Sequence, residues 1–385
     1  MKIKKVHVKN FRGVEELNLE FTNDNGTPLD LVVLAGPNGS GKTSVLEACL
    51  LAIGYDNLPI EKRQSKSNTR RGADNFEVDL TLDLDGKDIP ISYRNSIPGK
   101  EHVLSTNYSA EYFSSWRYPK LVGSVSVTSG RKGKKPGATE ENRLRLVKQY
   151  LVDFTARKAF EGQRDYSLQE NPFQRINNAW KLFYPEKNEF FEAGPAGEEV
   201  EAGFDVRLVN QSRNLQLPLD SLSSGELEVF TMLGWFATNR GSGFFIFIDE
   251  PELHLHPAWQ RTIIKALQEV MPDAQFIVST HSPQVLSCVK PENIWLLKRI
   301  DNKIEAFRPE NAYGLDANRI LEDLMEAPER PDEIKERLER LFATIDKGEL
   351  QESRSILRNL KSEIGADPEL SKAETLIRRK EIIGK

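Results

Sequence analysis

The sequence predicts an α/β protein with a mixed β-sheet, a helical insertion and a C-terminal helical appendage. Three observations predict it. A wholly apolar run, Leu31-Val32-Val33-Leu34-Ala35, leads through a glycine-rich stretch into a helical pattern that begins at Thr43 and ends near Ile53. Two further short apolar runs, at 244–248 and 275–279, flank a helical segment at 259–270, as buried parallel strands joined by a crossover helix do. Beyond Pro328 the composition turns to dense mixed charge with helical spacing.

The opening residues, Met1 to Val8, alternate polar and apolar side chains like a half-buried strand and begin a pair of strands ahead of the buried run. Phe76, Val78, Leu80, Leu82 and Leu84 alternate again and break at Asp85-Gly86, which predicts a solvent-facing β-meander over 76–97. Residues 124–139 are rich in Gly, Ser and Lys and read as a mobile loop; Leu144, Val147, Leu151 and Phe154 then recur at helical spacing, and the helical pattern continues to Trp180. A β-type segment at 203–219 precedes a turn and a mostly apolar helix at 227–238. In the tail, helices are expected near 331–346, 349–364 and 367–381, interrupted at Gly348 and Gly365-Ala366-Asp367-Pro368. The expected organisation is therefore the first half of a head with its flanking meander at 1–139, a helical insertion at 140–200, the second half of the head at 201–327 and a helical tail at 328–385.

Composition excludes some functions. A net charge of −5 argues against coating nucleic acid by bulk electrostatics, so any such site must be a local basic patch. Two cysteines, Cys49 and Cys288, are too few for a disulfide framework or a cysteine metal cluster and suit a reducing compartment, with the cytoplasm expected. The N-terminus lacks the apolar core of a signal peptide, so export is not expected. The longest apolar runs fall far short of the ~20 residues a membrane helix needs, and no membrane partner is expected.

Four motifs carry chemistry. Gly36-Pro37-Asn38-Gly39-Ser40-Gly41-Lys42-Thr43 fits the phosphate-loop pattern in full and stands between a strand and a helix, where backbone N–H groups can converge on phosphates. Lys42 would reach the outer phosphates, the Thr43 hydroxyl would ligate Mg²⁺, and Pro37, Asn38, Gly39, Ser40, Gly41 and Ser44 complete the ATP-binding set. The apolar run at 244–248 ends in Asp249-Glu250; Mg²⁺ keeps one or two carboxylates and several waters, so Asp249 beside Thr43 suits the metal and Glu250 suits a general base. Leu222-Ser223-Ser224-Gly225-Glu226 starts a helix: alone it is an ordinary N-cap, but its place ahead of the Asp-Glu strand makes Ser223 and Gly225 candidates for a γ-phosphate site at a helix start. His281, just after the second apolar strand, would face the γ-phosphate or the attacking water. His254 and His256 have neither zinc nor two-histidine helical spacing and are expected at an interface.

Motif order, the opening Val8-Lys9-Asn10-Phe11-Arg12-Gly13 and the run from Asp249-Glu250-Pro251-Glu252 to His254-Leu255-His256-Pro257 are similar to the RecF, SMC, Rad50 and OLD branch of ABC ATPases, over about residues 1–310. The 222–226 turn resembles the ABC signature loop, with Ser224 for the usual glycine and Glu226 for glutamine. The resemblance implies an ABC ATPase-type P-loop NTPase head that hydrolyses ATP with Mg²⁺, with Asn10 and Arg12 near the phosphates. It also implies a head-to-head homodimer or higher oligomer, in which Ser223 of one copy completes the site built on Lys42 of the other. No long heptad coiled coil interrupts the chain and no acidic toprim-like cluster follows His281, so neither a full SMC nor a self-contained nuclease is expected; the Q-loop glutamine has no assigned position.

The compact layout with its charged tail resembles the Septu and retron-associated ATPases of bacterial anti-phage modules, which work beside a separate nuclease. That resemblance implies a regulator of an effector nuclease or toxin, contacted through the C-terminal helices. The alternative is a RecF-like DNA-binding ATPase of DNA repair, motivated by two basic segments: Lys62, Arg63, Lys66, Arg70 and Arg71, and Arg131, Lys132, Lys134 and Lys135. Tyr112 to Tyr118 resembles a stretch near the nucleotide pocket of such ATPases, with Arg117 as a phosphate contact.

Overall fold

The structure is a computed structural model that describes residues 1–55, 68–95, 109–117, 119–128, 140–161, 171–197, 203–239, 244–325 and 330–383. Among them the chain divides into two compact units, Met1–Ile320 and Leu321–Lys385. No helix among the described residues is long and apolar enough to cross a membrane.

The first unit opens with β1 (Lys2–Phe11) and β2 (Val14–Glu20), which pair antiparallel, followed by the wholly buried β3 (Leu31–Ala35) and the helix α1 (Lys42–Ala52). β4 (Glu77–Leu84) and β5 (Lys87–Arg94) form the expected meander, turning at Asp85 and Gly86, both at positive φ, and complete a four-stranded antiparallel sheet in the order β2-β1-β4-β5. The meander is not wholly solvent-facing: Val78, Leu80, Leu82 and Ile91 share one core with α1, the alternation placing one face inward and one outward.

The central sheet has six strands: β6 (Ser109–Phe113), β10 (Phe244–Asp249), β11 (Gln275–Thr280), β3, β12 (Ile294–Ile300) and β13 (Lys303–Phe307), in that spatial order. Neighbours from β6 to β12 run parallel and only β13 is antiparallel, so the sheet is mixed, as expected. α1 shares its core with both sheets, and every residue from Val45 to Ala52 is buried because the helix is covered from both sides. The buried amide of Gln275 joins the two sheets, accepting from Ile3 N at 2.7 Å and donating to the carbonyls of Ile3 and Leu29 at 2.9 Å each.

The stretch expected to be helical over 140–200 contains α2 (Arg143–Glu161) and α3 (Pro172–Trp180), but Glu189–Pro195 is a strand, β7, pairing with β8 (Phe204–Asn210) in a third sheet closed by β9 (Leu215–Pro218). The correction has a physical cause: Phe191 is driven against Trp180 and Phe230, and the ladder to β8 satisfies the backbone. Next comes the apolar helix α4 (Ser224–Thr238), packed so closely on α2 that a Cβ on Gly234 would stand 2.5 Å from Val147. The segment expected as one helix at 259–270 is a short turn of helix at Pro257–Gln260 and then α5 (Ile263–Val270).

The second unit contains α6 (Asp332–Lys347), α7 (Leu350–Ile364) and α8 (Pro368–Ile383), within a residue or two of expectation. Leu338, Leu341, Ile345, Leu357, Leu360, Leu370, Ala373 and Ile377 meet in a core of their own, so the apolar stripes read from the sequence pack on one another.

Candidate active site

The C-terminal ends of β3, β10 and β11 bring the predicted chemistry to one edge. β3 delivers the Gly36–Thr43 loop, and Gly36 can only be glycine: its φ is +141° and a Cβ would lie 2.2 Å from the Leu297 carbonyl oxygen. Gly41, at φ +96°, faces the tip of Ile304, whose Cδ1 would be 2.6 Å from a Cβ, so there it is the backbone angle that favours glycine. The β12–β13 hairpin thus forms the outer wall of the loop, and Arg299 Nη2 donates to the Gly39 carbonyl at 3.2 Å. α1 starts without a side-chain cap and with no acid in its first turn, leaving its N–H groups and the positive end of its dipole for an anion.

Lys42 is folded back into this loop, donating to the carbonyl oxygens of Gly36 at 2.8 Å and Pro37 at 3.0 Å. Burial pushes its amine below the ordinary lysine range, while Glu250, Asp249 and Glu252 pull the other way. The buried Ser40 hydroxyl has no hydrogen-bond partner among the described residues. Asn38 and Gly39 are exposed at the tip of the loop, Pro37 is half-buried, and Ser44 is half-buried in the first turn of α1. An anion seated here would give Ser40 and the helix start what they lack.

β10 ends at Asp249, whose carboxylate accepts from the Thr43 hydroxyl at 2.9 and 3.0 Å and also from the Ser279 hydroxyl. Thr43 and Asp249 are thus adjacent hard oxygen donors, the set that Mg²⁺ takes together with water and phosphate oxygens. Glu250 follows at φ +54°, its N–H bound by the Ser279 carbonyl at 3.0 Å. His281, leaving β11, sets Nδ1 3.1 Å from Glu250 Oε1, within ion-pair reach but out of line for a hydrogen bond. Glu252, buried, accepts from the Thr280 hydroxyl at 2.7 Å and the His281 N–H at 3.1 Å. Burial raises its carboxyl above the usual range against the lowering by those bonds.

Ser223 caps α4 in a reciprocal box: its N–H and hydroxyl donate to Glu226 Oε2 at 2.9 and 2.8 Å, and Glu226 N donates back to its hydroxyl oxygen at 3.4 Å. Tyr184 donates to the other oxygen of Glu226 at 3.0 Å. Gly225 lies so close to the backbone of His254 that a Cβ would stand 2.7 Å from the His254 oxygen. His254 and His256 are exposed, the latter capping the short helix at Pro257–Gln260.

Asn10 and Arg12 lie where β1 ends, both at positive φ. The Asn10 carbonyl accepts from Arg70 N at 2.8 Å; Arg12 Nη1 lies 2.5 Å from the buried Glu47 of α1, and its Nε donates to Asn68 at 2.9 Å. Arg117, implied as a phosphate contact, has its guanidinium bound to protein groups. Its guanidinium donates to the carbonyls of Ser114, Asp249 and Glu250 at 2.8, 2.6 and 2.6 Å and pairs with Glu228 of α4. Sequence reading missed this role, as it missed Ser279, Glu252, Arg299 and Ile304; the only local signal was a pair of hydroxyl residues, Ser279 and Thr280, that follow the apolar run Phe276-Ile277-Val278. No glutamine occurs between β6 and Arg117. Of the basic segments, Lys62, Arg63, Lys66, Arg131, Lys132, Lys134 and Lys135 lie outside the described residues, while Arg70 is held by the Gly13 carbonyl and Glu15.

The chain spans most of one relative's length but well under half of others. The Retron Ec83 probable ATPase of Escherichia coli is 24% identical over 87% of this chain and 78% of its own. The Septu protein PtuA of Bacillus mycoides is 25% identical over 73% of this chain and 38% of its own. Among solved structures, the SMC head domain from Thermotoga maritima is 16% identical, with a TM-score of 0.46 over 81% of this chain and 100% of that one. Residues 31–287, more than half of the chain, match the family described as "AAA domain, putative AbiEii toxin, Type IV TA system", and the chain belongs to that family.

Proposed function

We propose that this chain is an ATPase that works as a nucleotide-gated homodimer and, in that form, controls a separate effector nuclease in anti-phage defence. The observation that carries the reading is the hydrogen bond from Thr43 to Asp249, which joins a complete phosphate loop to a strand-end carboxylate pair, with Glu250 and His281 in contact alongside. ATPase activity is further supported by relatives named as ATPases, and the defence role by their being retron and Septu proteins.

In this reading Lys42, Ser40 and the N–H groups at the start of α1 hold the phosphates. Thr43 and Asp249 hold Mg²⁺, which neutralises charge on the phosphate oxygens when bound. Glu250 accepts the proton of the attacking water, and His281 fixes the direction of that carboxylate. Ser223 and Gly225 of a second copy cover the γ-phosphate from the opposite side, so that ATP glues two copies together and hydrolysis releases them. The helices of residues 330–383 supply the surface for the effector.

The test is to purify tagged Glu250→Gln protein from its native cells in ATP and measure its mass and what comes with it. A dimer carrying a stoichiometric nuclease, absent after removal of residues 330–385, is expected. A monomer in saturating ATP would refute the gating, and duplex DNA with repair factors in place of an effector would return the reading to a DNA-repair ATPase.

A further inference from the structure

We propose that Arg117 is a positioning residue that ties the aim of Glu250 to the signature helix, so that the two nucleotide sites to which one copy contributes act on each other. The inference rests on the roles proposed above for Glu250 and Ser223.

β6 runs parallel to β10 with Phe113 beside Ile248, so the loop after β6 leaves the sheet at the same edge as the Asp249–Glu250 turn. Arg117 uses that proximity. One nitrogen of its fork binds the Asp249 carbonyl and another the Glu250 carbonyl, each at 2.6 Å, while Nε pairs with Glu228. The side chains of the pair are 4% and 3% exposed, so neither charge has water as an alternative. The guanidinium serves three carbonyls and a carboxylate at once, one acceptor more than the three N–H groups of an ammonium can reach.

Glu250 needs such a brace. Its φ of +54° is a conformation that non-glycine residues avoid, and such a backbone persists only where neighbours over-determine it. Its N–H is held by Ser279 at the end of β11 and its C=O by Arg117 from the loop that follows β6. Glu228, the anchor of Arg117, stands on the helix that Ser223 caps. When Ser223 takes up the phosphate of the neighbouring copy's nucleotide, any shift of α4 is carried by Glu228 and Arg117 to the carbonyls beneath Glu250. The nucleotide held in trans therefore sets the base used in cis, and the coupling is reciprocal between the sites.

The test is steady-state ATP turnover by the full chain over a range of ATP concentrations. The proteins compared are the wild type, Arg117→Lys, the apolar pair Arg117→Met with Glu228→Leu, and Glu250→Gln as reference. Arg117→Lys keeps the charge pair but loses the fork; the apolar pair keeps the packing but loses every polar contact. Both are expected to fold, melting below the wild type because carbonyls lose their donor, and to bind ATP with unchanged affinity, yet to lose about 10²-fold in kcat. The sigmoidal ATP dependence expected of the wild type should become hyperbolic. Should the apolar pair not fold, Arg117→Lys carries the test alone. Wild-type kcat in a folded Arg117 variant, with Glu250→Gln inactive, overturns the role of Arg117 alone, and hyperbolic turnover by the wild type overturns the coupling. Wild-type turnover by Glu250→Gln removes the reading of Glu250 itself, and Arg117 falls with it.

Discussion

His281 and Glu250 face each other across 3.1 Å from the ends of two neighbouring parallel strands, β11 and β10. The contact is made by side chains at the ends of separate strands, and the role proposed for His281 is to fix the direction of that carboxylate. His281→Ala is expected to lower single-turnover hydrolysis by about 10²-fold while leaving ATP affinity unchanged. Rapid-quench measurements at saturating enzyme check this, and an unchanged rate would place His281 outside the reaction.

Gly36 fits only as glycine because the Leu297 carbonyl fills the space of a side chain. Gly36→Ala must therefore push β12 away or distort the loop, at a cost of about 1–3 kcal/mol. Chemical denaturation should show that loss, and calorimetric titration should show ATP binding weakened with it. Full stability in this variant would mean that the hairpin yields freely.

Glu252 makes a pH prediction of definite sign. Its folded carboxyl is raised above the ordinary 4.5 by burial, so above pH 4.5 the unfolded chain releases this proton before the folded one does. The folded state then binds more protons, and stability falls as pH rises through that window. Glu252→Gln keeps an oxygen for Thr280 and His281 N and removes the titration. Thermal melts from acid to neutral pH should show wild type losing ground steadily to the variant, and parallel curves would mean the buried carboxyl is not the cause.

Ser223→Ala removes the cap of α4, a loss of about 1 kcal/mol. It should leave ATP binding by the monomer intact and abolish the ATP-driven dimer of Glu250→Gln, as read by sedimentation velocity. A dimer of unchanged strength would confine Ser223 to capping.

Much of this was legible in the sequence where the signal is local. The phosphate loop, β3, β10 and β11 stand out because apolar runs end in residues with few other uses, and the tail helices because their stripes recur over several turns. β6 was not legible: Ser-Ala-Glu-Tyr-Phe has no alternation and gains its place only by pairing with β10. The β12–β13 hairpin turns on Asp301 and Asn302, both at positive φ, a signal weaker than Asn-Gly. Arg117 could not be read at all, since two of its partners are backbone carbonyls far along the chain and a carbonyl leaves no mark in a sequence. Arg12, implied beside the phosphates, has its polar contacts with Glu47 and Asn68, and Glu47 reads locally as an ordinary helix residue.

The starts of α1 and α4 are unequal. One is bare; the other already spends its hydroxyl on Glu226, 2.8 Å away. A phosphate that comes to Ser223 must evict a carboxylate of its own sign and then remain beside it, two anions contending for one donor. On the role proposed for Ser223, docking would be an exchange with a threshold and not a simple capture, with the height of that threshold set at position 226. A neutral amide there would lower it, yielding a switch that closes readily and discriminates poorly between a loosely held nucleotide and one fully seated.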